Sequence, residues 1–188
     1  VEIITESWLE EMLQLCQQKD VGMAGAKLYY PDDTIQHAGV VVGLGGVAAH
    51  VLCKLPRDAE GYMGRLRCVQ EISAVTAACM MVKTSVFKAV GGFDEELKVA
   101  FNDIDLCMKV RKYGVKIVFT PYAELYHYES KSRGMEDTPE KQLRFSREVN
   151  CFRRKWEREL LKGDPYYNPN LTLNNTDCSL RKQEKNGD

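Results

Sequence analysis

The chain has 188 residues, 44% of them hydrophobic and 28% charged, and its 26 basic and 27 acidic side chains leave a net charge of −1. That length suits one domain able to bury roughly 70% of its unfolded surface, and the balanced charge argues against an electrostatic nucleic-acid partner. No apolar run reaches the ~18 residues of a membrane span, so the expectation is a protein without a transmembrane segment, cytoplasmic or peripheral to the inner face of the membrane.

In chain order, Val1-Glu2-Ile3-Ile4 reads as the end of a strand, and with no initiating Met the chain is expected to be a truncated piece. Residues 6–19 predict an amphipathic helix, with Ser7 and Glu10 in capping-box spacing and Trp8, Leu9, Met12, Leu13 and Cys16 at helical intervals. Residues 21–29 predict a strand ending at the turn Pro31-Asp32-Asp33. Val40-Val41-Val42 leads into Gly43-Leu44-Gly45-Gly46, which lacks the third glycine of a dinucleotide loop and reads as a flexible loop. Residues 47–70 give no clear pattern.

Cys79-Met80-Met81-Val82 predicts a buried strand, and Thr84 opens a short helix that Gly91-Gly92 stops. A helix over 102–113 places Gly114 just beyond its last turn. Val115 to Thr120 predicts a short strand closed by Pro121, followed by the polar loop from His127 to Gly134. Thr138-Pro139 starts a helix to about Leu161, with Leu143, Phe145, Val149, Phe152 and Trp156 inward. The folded unit is set at 1–162 and an extended or disordered tail at 163–188. Alternating strands and helices make the class α/β.

The seven cysteines are odd in number and show no CxxC pair, so they read as reduced thiols acting as small hydrophobes. Among the acids, Asp103 falls in the first turn of a helix behind Asn102, where the positive helix end favours a carboxylate by ~0.3–1 kcal/mol. The spacing leaves open whether Asn102 and Asp103 carry chemistry or merely cap the helix. Asp105, two residues on, does not share that face and reads as a dipole or salt-bridge residue. His127 has the chemistry of a metal ligand, and Lys131 and Arg133 that of phosphate binders, or all three are ordinary residues of a polar loop.

The run Thr76-Ala77-Ala78-Cys79-Met80-Met81-Val82-Lys83, then Val90-Gly91-Gly92-Phe93-Asp94-Glu95, then Phe101-Asn102-Asp103-Ile104-Asp105-Leu106-Cys107, resembles the second half of family 2 glycosyltransferases with the GT-A fold. The segments from Ala26 to Asp32, from Ile35 to Gly39 and from Asp164 to Leu171 are similar to that group too, especially to bacterial rhamnosyl- or galactofuranosyl-type enzymes.

The resemblance implies a partial GT-A mixed sheet flanked by helices, the nucleotide-binding half lying outside this sequence. It implies Asp103 as the base, with Asn102 in place of the family's usual Glu, and Asn102, Ala78, Cys79 and Asp105 on the acceptor side. It implies His127 as a metal ligand and Lys131 and Arg133 as contacts to the donor diphosphate. The expected partners are a nucleotide-diphospho-sugar and a saccharide acceptor, with Mg²⁺ or Mn²⁺ in the full-length enzyme. Because one imidazole cannot hold such an ion, this piece is expected to bind none and to be inactive alone. The competing readings are a non-catalytic glycan- or protein-binding module, supported by Tyr122, Tyr126 and Tyr128, and a fragment that forms a homodimer across its exposed edge.

Overall fold

The computed structural model describes residues 1–128 and 138–182. Short β1 (Glu2–Ile3) precedes α1 (Trp8–Cys16) and β2 (Val21–Tyr29), and all nine residues of β2 are buried. Such burial requires cover on both faces. Ala24, Ala26 and Leu28 pack toward α1, while Met23 and Tyr29 join the main core. The helix α1 buries Met12, Leu15 and Cys16, whereas Leu9 and Leu13 stay exposed. The expected capping box is not made: Ser7 precedes the helix without a side-chain bond to it.

β3 (Ile35–His37) pairs antiparallel with the end of β2, and β4 (Val40–Val42) pairs with β5 (Ala48–His50) as a separate hairpin. Gly43, Gly45 and Gly46 all take positive φ at its turn, the conformation that favours glycine. The turn is pinned rather than loose: Gly45 N–H donates to Leu173 O at 2.8 Å, and Arg153 donates to Gly46 O.

β6 (Gln70–Glu71) precedes β7 (Met80–Val82), which pairs with β2 but is half-buried rather than buried. α2 (Thr84–Ala89) and α3 (Asn102–Tyr113) follow, α3 ending at Gly114 with φ 96°. α3 then crosses to β8 (Lys116–Tyr126), parallel to β2, as a parallel pair requires. The strand does not stop at Pro121. Its pairing jumps from Gly25↔Phe119 to Lys27↔Glu124, so residues 120–123 bulge, and proline's missing N–H costs the ladder nothing there. The six-stranded sheet is mixed, with β6 and β1 on the outer side of β8.

Thr138 caps α4 (Pro139–Lys155) by accepting from Lys141 N–H, and a break at Trp156 separates α5 (Glu157–Lys162). Leu143 is exposed, Phe145 is partly exposed while its ring contacts Phe101, and Phe152 and Trp156 are buried. The tail expected from 163 lacks regular structure, yet through Lys182 it is neither extended nor loose. Tyr167, Leu171 and Cys178 join the main core, Leu52 N–H donates to Thr176 O, and Val42 N–H donates to Asp164 Oδ2. Polar composition hid these few apolar anchors. Among the described residues, no helix is long and apolar enough to cross a membrane.

Candidate active site

The parallel strands β2 and β8 end side by side at Tyr29 and Tyr126, the end of an α/β sheet where ligands gather. His127 follows at once, its N–H donating to Tyr29 O at 2.9 Å. Its Nδ1 lies 2.8 Å from Gln36 Oε1, and Gln36 Nε2 donates back to His127 O. An amide oxygen only accepts, so in this contact Nδ1 carries a proton.

The chain's other two histidines stand close by. His37 is fully buried, and its Nδ1 is 3.0 Å from His50 Nδ1, while Thr76 N–H donates to His37 Nε2 at 3.4 Å. The Thr76 bond fixes the order: His37 holds its proton at Nδ1 and donates it to His50, whose own proton then sits at Nε2. Burial holds His37 well below the ordinary imidazole range, and the nearby His50 and His127 lower it further. His50, His127, Gln36 and Thr76 line a cavity of about 270 Å³ together with Tyr30 and Thr176.

Asp103 reaches the same wall from the other side of Thr76. Its Oδ2 accepts from Ala77 N–H at 3.0 Å and its Oδ1 from Ile104 N–H at 2.9 Å. The residue delivering it is Phe101, in left-handed conformation with φ 63° and packed between Phe145 and Phe152. Asn102 is therefore the first helical residue rather than the cap, and its Oδ1 accepts from Asp103 N–H. Asp103 bonds Ala77, next to the Thr76 that lines the 270 Å³ cavity with His127, and Asp103 itself is not among the residues that line it.

The model of the glycosyltransferase-like family 2 matches residues 2–148. The chain belongs to glycosyltransferase family 2. It is 57% identical over 181 residues to the uncharacterized protein y4gI of Sinorhizobium fredii, covering 96% of this chain and 20% of that one. It is 38% identical over 189 residues to the O-antigen biosynthesis protein RfbC of Myxococcus xanthus, covering 100% of this chain and 14% of that one. Over 62 residues it is 36% identical to an N-acetylglucosaminyl-diphospho-decaprenol L-rhamnosyltransferase of Mycobacterium tuberculosis, covering 33% and 20%. The chain spans a fifth or less of the length of these relatives.

Within this family 2 domain the other expected site residues scatter. Asp105 is fully buried: Trp156 Nε1 donates to it at 2.8 Å, and Lys155 and Lys109 lie 2.7 and 3.3 Å from its oxygens. It bonds α3 to α4 and has no surface to offer an acceptor, which corrects its acceptor-side placement. Ala78 and Cys79 pack toward α1, where Cys79 Sγ lies 3.9 Å from Met12 Sδ and burial raises the thiol to about 11. What this turn gives the site is backbone, the N–H groups of Thr76 and Ala77. Lys131 and Arg133 lie outside the described residues. The sequence reading passed over His50 and gave His37 no role. Their joint signal was the rarity of histidine, three in the chain, and no spacing rule links them.

Proposed function

We propose that the chain carries the acceptor-activating part of an inverting glycosyltransferase, one that moves a hexosyl-type sugar from a nucleotide-diphospho-sugar to a saccharide acceptor in cell-surface polysaccharide synthesis. The observation that supports this most is the anchoring of Asp103. Two main-chain N–H groups set its rotamer, yet a carboxylate has about four acceptor positions, so lone pairs remain for an acceptor hydroxyl. In the reaction the acceptor oxygen bonds to the anomeric carbon and its proton passes to Asp103. The bond from that carbon to the diphosphate oxygen breaks, and the electron pair leaves with the nucleoside diphosphate. A single displacement inverts configuration. The O-antigen and rhamnosyltransferase relatives favour a saccharide acceptor, and the free thiols fit a cytoplasmic setting.

The described residues do not by themselves fit a divalent ion. No three His, Cys, Asp or Glu side chains among them form a metal-holding group, and His127 offers one nitrogen where Mg²⁺ or Mn²⁺ takes several oxygens. An ion in the longer protein would draw its main ligands from outside these residues, so no step is routed through one, and transfer by this chain alone is not expected.

The test is Asp103→Asn in the longer parent enzyme, where the amide still accepts from a backbone N–H. Turnover falls by ~10²–10⁴ if Asp103 is the base; unchanged turnover overturns the assignment.

A further inference from the structure

A cavity of about 850 Å³ shares no lining residue with the His127 cavity. It opens where β8 bulges, beside Lys27, Pro121 and Tyr122. Lys27 is only 4% exposed. Its amine reaches the Leu66 carbonyl at 3.5 Å and lies 5.3 Å from the Tyr29 ring. The first distance is the outer limit of a hydrogen bond, and no carboxylate among the described residues forms an ion pair with it. An amine with three N–H donors, buried with so little return, is unusual in a cavity wall.

The neighbouring charges are already matched. Arg57 is paired with Glu124 and Asp33, Tyr29 donates to Glu124, and Asp32 accepts from Thr34. In all, the cations Lys27, Arg57 and Arg67 face the carboxylates Asp32, Asp33, Asp58 and Glu124. A wall with one more carboxylate than cations repels an anion. It offers both donors and acceptors to a neutral molecule with many hydroxyls. Tyr122 supplies the remaining element: the residue is 53% exposed, and it is held in place by Thr120 Oγ1 at its N–H and Arg67 O at its hydroxyl. A fixed, exposed aromatic face beside mixed polar groups suits the apolar face and hydroxyl edge of a pyranose.

We infer that this cavity binds a neutral sugar unit, with Lys27 donating to ring hydroxyls and Tyr122 as the stacking platform, a second saccharide place apart from the site of transfer. It extends the sugar-transfer reading, but its test reads binding and so does not depend on Asp103 being the base.

The 188-residue chain is titrated with the methyl glycosides of a neutral hexose and a 6-deoxyhexose, and separately with inorganic phosphate, while ¹H–¹⁵N spectra are recorded. The expected result is saturable shifts at Lys27, Ala59 and Tyr122 with at least one glycoside and none with phosphate. Tyr122→Ala, at an exposed position, raises Kd about tenfold or more. Lys27→Met, which replaces a buried cation by an apolar chain of like length, does the same with the rest of the spectrum preserved. Phosphate binding in preference to both glycosides overturns the inference. So do shifts that map elsewhere, and so does glycoside binding that survives Tyr122→Ala.

Discussion

The carboxylate of Asp103 and the main-chain amide of Ala77 are joined at 3.0 Å, and the amide just before it, on Thr76, donates to His37. Two side chains distant in sequence are thus held by adjacent peptide units. Anything that shifts residues 75–77 moves Asp103 and the histidine pair together.

Gly25 controls that position from beneath. A Cβ built on it would stand 2.3 Å from Val75 Cγ1, far inside contact distance. Gly25→Ala is expected to cost ~1–3 kcal/mol by overpacking and to lower transfer in the parent enzyme. Adding Val75→Gly clears both that Cγ1 and the Val75 Cβ, which would stand 2.5 Å away, and recovers part of the stability and of the transfer. Thermal melts of the single and double variants check this; a single variant as stable as the parent rules it out.

Acid should weaken the fold through His37. In the native state it remains neutral well below its ordinary value of 6.5, chiefly because it is buried. The unfolded chain binds a proton there as pH falls through 6.5, so the unfolded state holds more protons and stability drops with decreasing pH. The contribution is up to ~1.4 kcal/mol per pH unit. His50 and His127 face the same ring, so the informative quantity is a difference. Urea midpoints at pH 7.5, 6.5 and 5.5 should decline less steeply in His37→Gln than in the parent; equal slopes would remove His37 from the account.

Lys155 bridges Asp94 at the surface and buried Asp105. Lys155→Met leaves Asp105 with Lys109 and the Trp156 hydrogen bond, at an expected cost of roughly 2 kcal/mol. The value is modest because a third of the lysine side chain is in solvent. Pairing it with Asp105→Asn should cost less than the two changes summed, as read by denaturant melts of all four proteins. Strict additivity would mean that the pair is not coupled.

Glu148 on α4 accepts from the N–H groups of Val99 and Ala100, at 3.1 and 2.9 Å. It thereby fixes the approach to Phe101 and Asp103. Glu148→Gln turns an NH₂ toward one of those donors and is expected to cost ~1–3 kcal/mol. Amide hydrogen exchange should quicken at 99 and 100 before it does in β2. Exchange unchanged at both positions would show that the loop is held by something else.

The elements that were legible in the sequence are those whose pattern is local. β2 runs over Val21–Tyr29 and α3 over Asn102–Tyr113, as apolar runs, glycines and turn residues imply. Asp103 was legible as a first-turn acid, and its anchoring was not, because Ala77 lies 26 positions away. Pro121 gave a wrong strand end for a physical reason: a proline forbids a ladder bond only if the strand stays regular, and here it bulges. Asp105 was legible as a salt-bridge residue, and its burial was not, because Lys155 and Trp156 lie 50 and 51 positions on.

The bond between Val42 N–H and Asp164 spans 122 positions, and it bears on how the nascent chain matures. At roughly 5–20 residues per second of synthesis, the hairpin β4–β5 waits about 6–24 s for the segment that fastens it. Until then the Val40-Val41-Val42 run lacks its final cover. The interval in which this domain is open to mispairing, and of most interest to a chaperone, is thus set by the distance along the messenger between a valine and an aspartate.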